Sequence, residues 1–290
     1  MSTHFDSADE FMSHLYGTLS DSTRWRSLES RALLELIFHG QVVYGYTNDQ
    51  ELASYLRPAY EQAIEISTEP DRFACYRAVF PHVEEREASL DCLLPFIVLE
   101  PSARIVSTAT IDFAMIGLRP DPMKAVHELV SYIEEGRARS RGAILGGLVC
   151  LGDRRVIDLV KPLIAAISPE EAGAAARCQN GFPTVPAFEF WLEWLERLPG
   201  DYEDQFFGAC ASALVQLVDT AKAPVFLDGE RNLGCGLASD DLPYRVTHSY
   251  TTGEIGRKYR ERLNVVEARE PEPKVMREVL ARYAAAELVH

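Results

Sequence analysis

Apolar residues recur at three-and-four spacing along most of this chain, while strict alternation appears only in short pieces such as Gln41 to Tyr46 and Tyr244 to Tyr250. The pattern predicts helices almost throughout. Asn48-Asp49-Gln50-Glu51 reads as a capping box, and the helix after it places Leu52, Tyr55, Leu56, Ala59, Tyr60 and Ala63 on one face, with Pro58 expected to kink or split it. Asp121-Pro122 and Ser168-Pro169-Glu170-Glu171 are two further starts, each a cap followed by a proline in the first helical position. The first leads into Val126, Leu129, Val130 and Ile133, and Gly136 ends that helix with a residue free to turn.

Internal repetition is faint. Ala114, Met115, Leu118, Met123, Val126 and Val130 echo Gly147, Leu148, Leu151, Val156, Leu159 and Leu163 at an offset of 33 residues. The clearest unit runs from Leu148 to Ile164. Its two leucines lead into a Gly152-Asp153 turn, Arg155 and Val156, and then the stripe Leu159, Val160, Leu163. Gly152 permits a left-handed turn and Asp153 can cap the next helix. In these residues the chain resembles a HEAT repeat, which implies helical pairs stacked so that each buries its stripe against its neighbours. The rest departs from a regular array. Pro162 interrupts the second helix, adjoining segments lack the Gly-Asp turn, and residues 1–100 show no period.

The expected fold class is therefore all-α, as a HEAT-like α-α superhelix or solenoid, or else an irregular helical bundle. Residues 1–100 form an N-terminal helical region, 101–225 the HEAT-like pairs, and 226–290 a long loop with C-terminal capping helices, together one continuous domain. The loop is read from the turn signals Asp228-Gly229, Gly234-Cys235-Gly236, Asp240-Asp241 and Leu242-Pro243. A basic helix around Ile255 to Leu263, a Glu270-Pro271-Glu272-Pro273 link and a final helix carrying Val275, Val279, Leu280 and Tyr283 follow.

Composition narrows the function. With 290 residues, 47% apolar and 25% charged, the chain can bury an ample core. No apolar run approaches the roughly 20 residues of a membrane span, and the acidic start, with Asp6, Asp9 and Glu10, does not resemble a secretory signal, so the expected location is cytoplasmic. Six scattered cysteines without a Cys-x-x-Cys pair read as reduced thiols. The net charge is −15, and residues 1–253 alone carry 37 acidic against 21 basic residues. Such a field repels phosphate backbones and anionic lipid and favours basic partners. Arg257, Lys258, Arg260 and Arg262 are the one dense basic group, and Glu254, Glu261, Glu267 and Glu270 offset it, which argues against nucleic acid.

Catalytic motifs are missing. His127-Glu128 has Ser131 where a second histidine ligand would stand, and no two of the seven histidines share a ligand spacing, so no metal is expected. Gly229 to Gly236 and Gly253 to Lys258 lack the Gly-Lys-Ser/Thr ending of a phosphate loop, no Gly-x-Ser-x-Gly elbow occurs, and no cofactor is expected. Paired carboxylates such as Glu134-Glu135 and Glu170-Glu171 read as solvated helix ends. Asp240-Asp241, near Tyr244 and His248, is the one pair placed in the long loop.

Phe188 to Leu198 carries the most suggestive pattern, with Thr184 and Pro186 at its start. On a helical wheel Phe188, Trp191, Leu192 and Leu195 form one stripe, Glu189, Glu193 and Glu196 a row about 100° away, and Phe190 and Trp194 a third flank. The candidate binding surface is Glu189, Phe190, Glu193 and Trp194, together with Tyr202, Glu203 and Asp204 of the following acidic start. Aromatic anchors beside acids suit a protein interface, although the aromatics could equally touch a neighbouring helix. The expectation is a non-enzymatic binding protein, of immunity or inhibitor type, that engages a basic protein such as a toxin. The alternative is a helical hydrolase or transferase with dispersed residues near the 228–253 loop.

Overall fold

A computed structural model describes residues 7–84, 90–115, 122–177, 184–197, 226–231, 244–250 and 252–269. Among them the chain is helical apart from one two-stranded antiparallel ribbon, so the fold class is all-α. It divides into two compact units, with the boundary inside one helix, after Ile144.

In the first unit come α1 (Ala8–Leu19), α2 (Ser22–Arg26), α3 (Ser30–Thr47), α4 (Gln50–Ile66), α5 (Glu69–Glu84), a 3-10 turn (Leu90–Leu93), α6 (Leu94–Val98), α7 (Ala103–Met115) and α8 (Pro122–Glu134). The central helix is α3, packed on α4 and α5. Its Leu33, Ile37 and Tyr44 are buried, as are Leu52, Leu56, Ala59 and Tyr60 of α4 and Tyr76 and Val79 of α5. Each of the larger of these side chains, Ala59 excepted, contributes about 1.5–3 kcal/mol by leaving water. Gly40 lets the first pair of helices approach, because a Cβ there would lie 2.5 Å from Leu56 Cδ2. The short piece Gln41 to Tyr46, which alternates like a strand, lies inside α3.

Local chemistry sets the helix ends. Asp49 caps α4 by accepting from the backbone N–H of Glu51 and Leu52, while Asn48 closes α3 in the left-handed region at φ 52°. Gly136 follows α8 with φ 68°. Pro58 does not split α4, which runs unbroken through it. The proline is exposed, and the carbonyl it leaves without a donor belongs to exposed Ser54, on the side of the helix where solvent is at hand.

A buried ion pair joins α5 to the segment between α6 and α7. The Arg72 guanidinium donates to both Glu100 carboxylate oxygens, at 2.9 and 3.0 Å. Tyr60 and the Ser102 backbone N–H also donate to that carboxylate, at 2.6 and 2.9 Å. Arg72 spends a further N–H on the Ser67 carbonyl, so the cluster is internally satisfied.

Helix α9 (Arg141–Cys150) leads into the second unit, with α10 (Arg154–Ala166), α11 (Pro169–Arg177), α12 (Val185–Arg197), β1 (Phe226–Arg231), β2 (Tyr244–Tyr250) and α13 (Thr252–Arg269). The turn between α9 and α10 is built as its sequence implies. Gly152 has φ 71°, and the buried Asp153 accepts from the Arg155 backbone N–H. The buried face of α10 differs from the expected stripe. Val156, Ile157, Val160 and Ile164 are buried, whereas Leu159 and Leu163 are half-buried, because the inward arc is centred about one residue further round the helix. Pro162 again leaves its helix continuous, its ring exposed and the freed carbonyl on exposed Asp158. Ser168 and Glu171 cap α11 reciprocally, each side chain accepting from the other's backbone N–H.

The expected long loop at 226–253 is corrected at both ends. β1 and β2 pair antiparallel from Phe226↔Tyr250 to Arg231↔Tyr244, with an irregularity between Asp228 and Gly229. Tyr244 to Tyr250 carries the alternation that favours a strand, and a register-matched partner at Phe226 supplies its ladder. Asp240 and Asp241 lie outside the described residues. So do the Glu270 to Pro273 link and the expected last helix. Among the described residues no helix is long and apolar enough to cross a membrane.

Candidate functional site

Thr184 starts α12, its hydroxyl accepting from the Ala187 backbone N–H at 3.4 Å. The stripe read from the sequence is the buried one, since Phe188, Trp191, Leu192 and Leu195 are fully enclosed. Phe190 is buried with them and packs edge-on against Trp191, whose ring in turn meets half-buried Trp194 at 5.6 Å. Of the two flank aromatics, only Trp194 reaches the surface in part.

The acidic row of α12 faces α13 of the same chain. Tyr259 donates its phenol proton to Glu189, and Lys258 Nζ lies 3.7 Å from the same carboxylate. Arg262 binds Glu196 with two parallel hydrogen bonds of 2.7 Å each. These bonds hold the Glu196 carboxyl below its ordinary value, and burial followed by the Glu189 contact raises the Tyr259 phenol. Ile255, Tyr259 and Leu263 are buried along the inner face of α13, so the polar pairs rim an apolar contact. Glu193 remains exposed, paired with Arg197 one turn on at 3.4 Å. Tyr202, Glu203 and Asp204 lie outside the described residues. The structure thus brings Glu189 and Glu196 to a basic helix of their own chain and leaves Glu193 and the edge of Trp194 outward.

A second site is in the first unit and was not read from the sequence. A cleft of about 460 Å³ opens between α4 and α8 above α3 and α6. Two α3 side chains one turn apart, Gln41 and Tyr44, line it and are almost wholly buried, at 1% and 4% exposure. The Gln41 amide nitrogen has no hydrogen-bond acceptor. The Tyr44 hydroxyl accepts from Gln50 at 3.4 Å, with no acceptor for its own proton among the described residues. Burial, then the charge of Asp91, raises the Tyr44 phenol above its ordinary value. Asp91, Glu128, Arg57 and Arg137 bring both signs of charge to the lining. The one sequence signal was a glutamine set among Ile37, Val42, Val43 and Tyr44.

Among the described residues no three His, Cys, Asp or Glu side chains gather closely enough to hold a metal ion. Compared with protein families, characterised proteins and solved structures, the chain matches none of them. Its helices, packed one against another, are compatible with a helical repeat fold.

Proposed function

We propose that this is a non-enzymatic binding protein of HEAT-like build that engages a basic protein, in the manner of an immunity or inhibitor protein that neutralises a toxin. The observation that carries the reading is the α12 surface. Its acidic row accepts lysine, arginine and tyrosine side chains from α13, which is the chemistry a basic partner would offer. Glu193 is the member of that row left for such a partner, since its bond to Arg197 is an exposed pair of one helical turn, a class worth about 0.3–0.5 kcal/mol and easily exchanged. Trp194 beside it supplies an aromatic anchor, and Tyr202, Glu203 and Asp204 extend the surface in sequence. The net charge of −15 adds long-range attraction for a basic partner. A cytoplasmic setting is supported by the buried thiols Cys75 and Cys92, which form no disulfide.

Affinity capture from native extract at low and high salt tests this, with Glu193→Lys and Trp194→Ala run in parallel. A stoichiometric basic partner, released by salt and lost with both substitutions, is the expected result. An acidic partner, or one indifferent to both substitutions, would sink the reading.

A further inference from the structure

The cleft of the first unit has the size of a small-molecule site, about 460 Å³ where such sites span roughly 300–1,000 Å³. Its floor, Gln41 and Tyr44, is buried, and the Tyr44 hydroxyl is bonded to Gln50, so the groups that can meet a ligand are those of the walls and rim. These carry charge of both signs, Asp91 and Glu128 against Arg57 and Arg137.

Contacts along the walls sort the four charges by position. Gln50 opens α4 and reaches Tyr44, the same phenol that burial and then the Asp91 charge push up, so Asp91 stands at the end of the cleft where α4 begins. At the other end Tyr60 of α4 binds Glu100 just past α6, and the Arg139 backbone N–H binds the Val98 carbonyl, which brings the turn after α8 alongside. Arg57, one turn before Tyr60, and Arg137, in that turn, therefore share this second end. Glu128 precedes Tyr132 by one turn of α8, away from the chain's exit at Arg137, whose guanidinium lies over the Tyr132 ring at 4.4 Å. From Gln50 to Arg57 the helix rises about 10 Å, which sets the spacing of the two ends. Leu94, Pro95 and Val98 of α6 line the cleft between them. Both arginines can take a further acceptor. Arg57 pairs with Glu61 at 3.6 Å and Arg137 with Glu135 at 3.1 Å, partners outside the lining, and these exposed pairs are easily exchanged.

We propose that this cleft binds an elongated zwitterion, its ammonium at the Asp91 and Glu128 end, its carboxylate at the Arg57 and Arg137 end, and an apolar spacer between. A simple anion would meet the two acids and a simple cation the two arginines, whereas opposite charges on one ligand complement both ends. A guanidinium takes a carboxylate through two parallel N–H bonds, and Asp91 and Glu128 offer acceptors to the three ammonium protons. The spacing of the ends excludes a ligand whose two charges are adjacent. This site shares no residue with the α12 surface, and the two readings stand or fall independently.

The test uses the purified full chain and a defined panel: 6-aminohexanoate, 8-aminooctanoate and the dipeptide alanylleucine, with hexanoate and hexylamine as single-charge counterparts and β-alanine as a short zwitterion. Binding is followed by saturation-transfer NMR and calorimetry. At least one elongated zwitterion is expected to bind about tenfold or more tighter than hexanoate, hexylamine and β-alanine, and to weaken as salt is raised. The dipeptide binding tighter than both aminoalkanoates would identify a free-ended peptide as the source of the ligand, and the reverse order an aliphatic amino acid. Replacing both arginines, Arg57→Gln with Arg137→Gln, should remove the preference over hexylamine, and Glu128→Gln should narrow the preference over hexanoate. The arginines are exposed, so the double variant is expected to melt with the parent; if it does not, Glu128→Gln alone decides. No elongated zwitterion bound at millimolar concentration, single-charge or short ligands bound as tightly, or preferences unchanged in the variants would each overturn the proposal.

Discussion

Single side chains in this protein are held by contacts that leave little room for exchange. Glu100 is the clearest case, since its carboxylate takes four hydrogen bonds, from Arg72, Tyr60 and Ser102, without exposure to water. A buried pair of this kind adds little net stability relative to an apolar replacement, yet breaking it strands a charge. Glu100→Gln is expected to cost about 3–5 kcal/mol, read from urea unfolding, because Arg72 then loses its counter-charge inside the protein. Gly152 is constrained in two ways. Its φ of 71° disfavours any L side chain, and a Cβ would sit 2.8 Å from Thr184 Oγ1. Gly152→Ala should lower stability by about 1–3 kcal/mol, whereas Gly136→Ala, with the same sign of φ and open space around it, should cost only the conformational part. Thermal melts of the two variants separate crowding from backbone strain.

Between elements, the deciding quantity is whether the neighbour that must yield is a side chain or backbone. At Gly40 a methyl group would meet the flexible ends of Leu56 and Leu19, which can rotate away. At Gly146 it would meet the Ala175 carbonyl oxygen at 2.5 Å and its Cα at 2.7 Å, so α9 and α11 would have to separate. Gly146→Ala is therefore expected to destabilise clearly more than Gly40→Ala, by chemical unfolding of both under the same conditions. The α12–α13 contact adds a pH dependence with a definite sign. The Glu196 carboxyl is depressed below its ordinary value of 4.5 chiefly by the Arg262 hydrogen bonds. A depressed acid stabilises the fold fully above its unfolded pKa and loses that contribution as pH falls through the folded one. Stability should thus fall in acid below about 4.5, and Glu196→Gln should flatten that part of the profile.

At the scale of the whole molecule, a net charge of −15 means that the folded chain repels itself. Raising ionic strength from low to physiological should raise Tm by screening that repulsion, while weakening capture of a basic partner through the same effect. What the sequence made legible was local. The caps at Asp153 and Ser168 and the α12 stripe all depend on residues within a turn or two, and they formed as their spacing implied, while the capping box read from Asn48 to Glu51 is replaced by a cap one residue on, at Asp49, because Asn48 closes α3. The pairing of Tyr259 and Arg262 with Glu189 and Glu196 spans 70 and 66 residues, and no periodicity encodes which acidic row a distant basic helix will meet. The cleft needs α3, α4, α6 and α8 together, so no local pattern marks Gln41 as part of it. Tyr202, Glu203 and Asp204, proposed to extend the α12 surface, lie outside the described residues. The buried thiols have a further use. Burial pushes Cys75 up to about 12 and raises Cys92 as well, so at neutral pH neither presents a thiolate to a reagent. Chemical labelling then becomes a clock of transient opening, with Cys75 and Cys92 timing the first unit and buried Cys150 timing the second, each without an added probe.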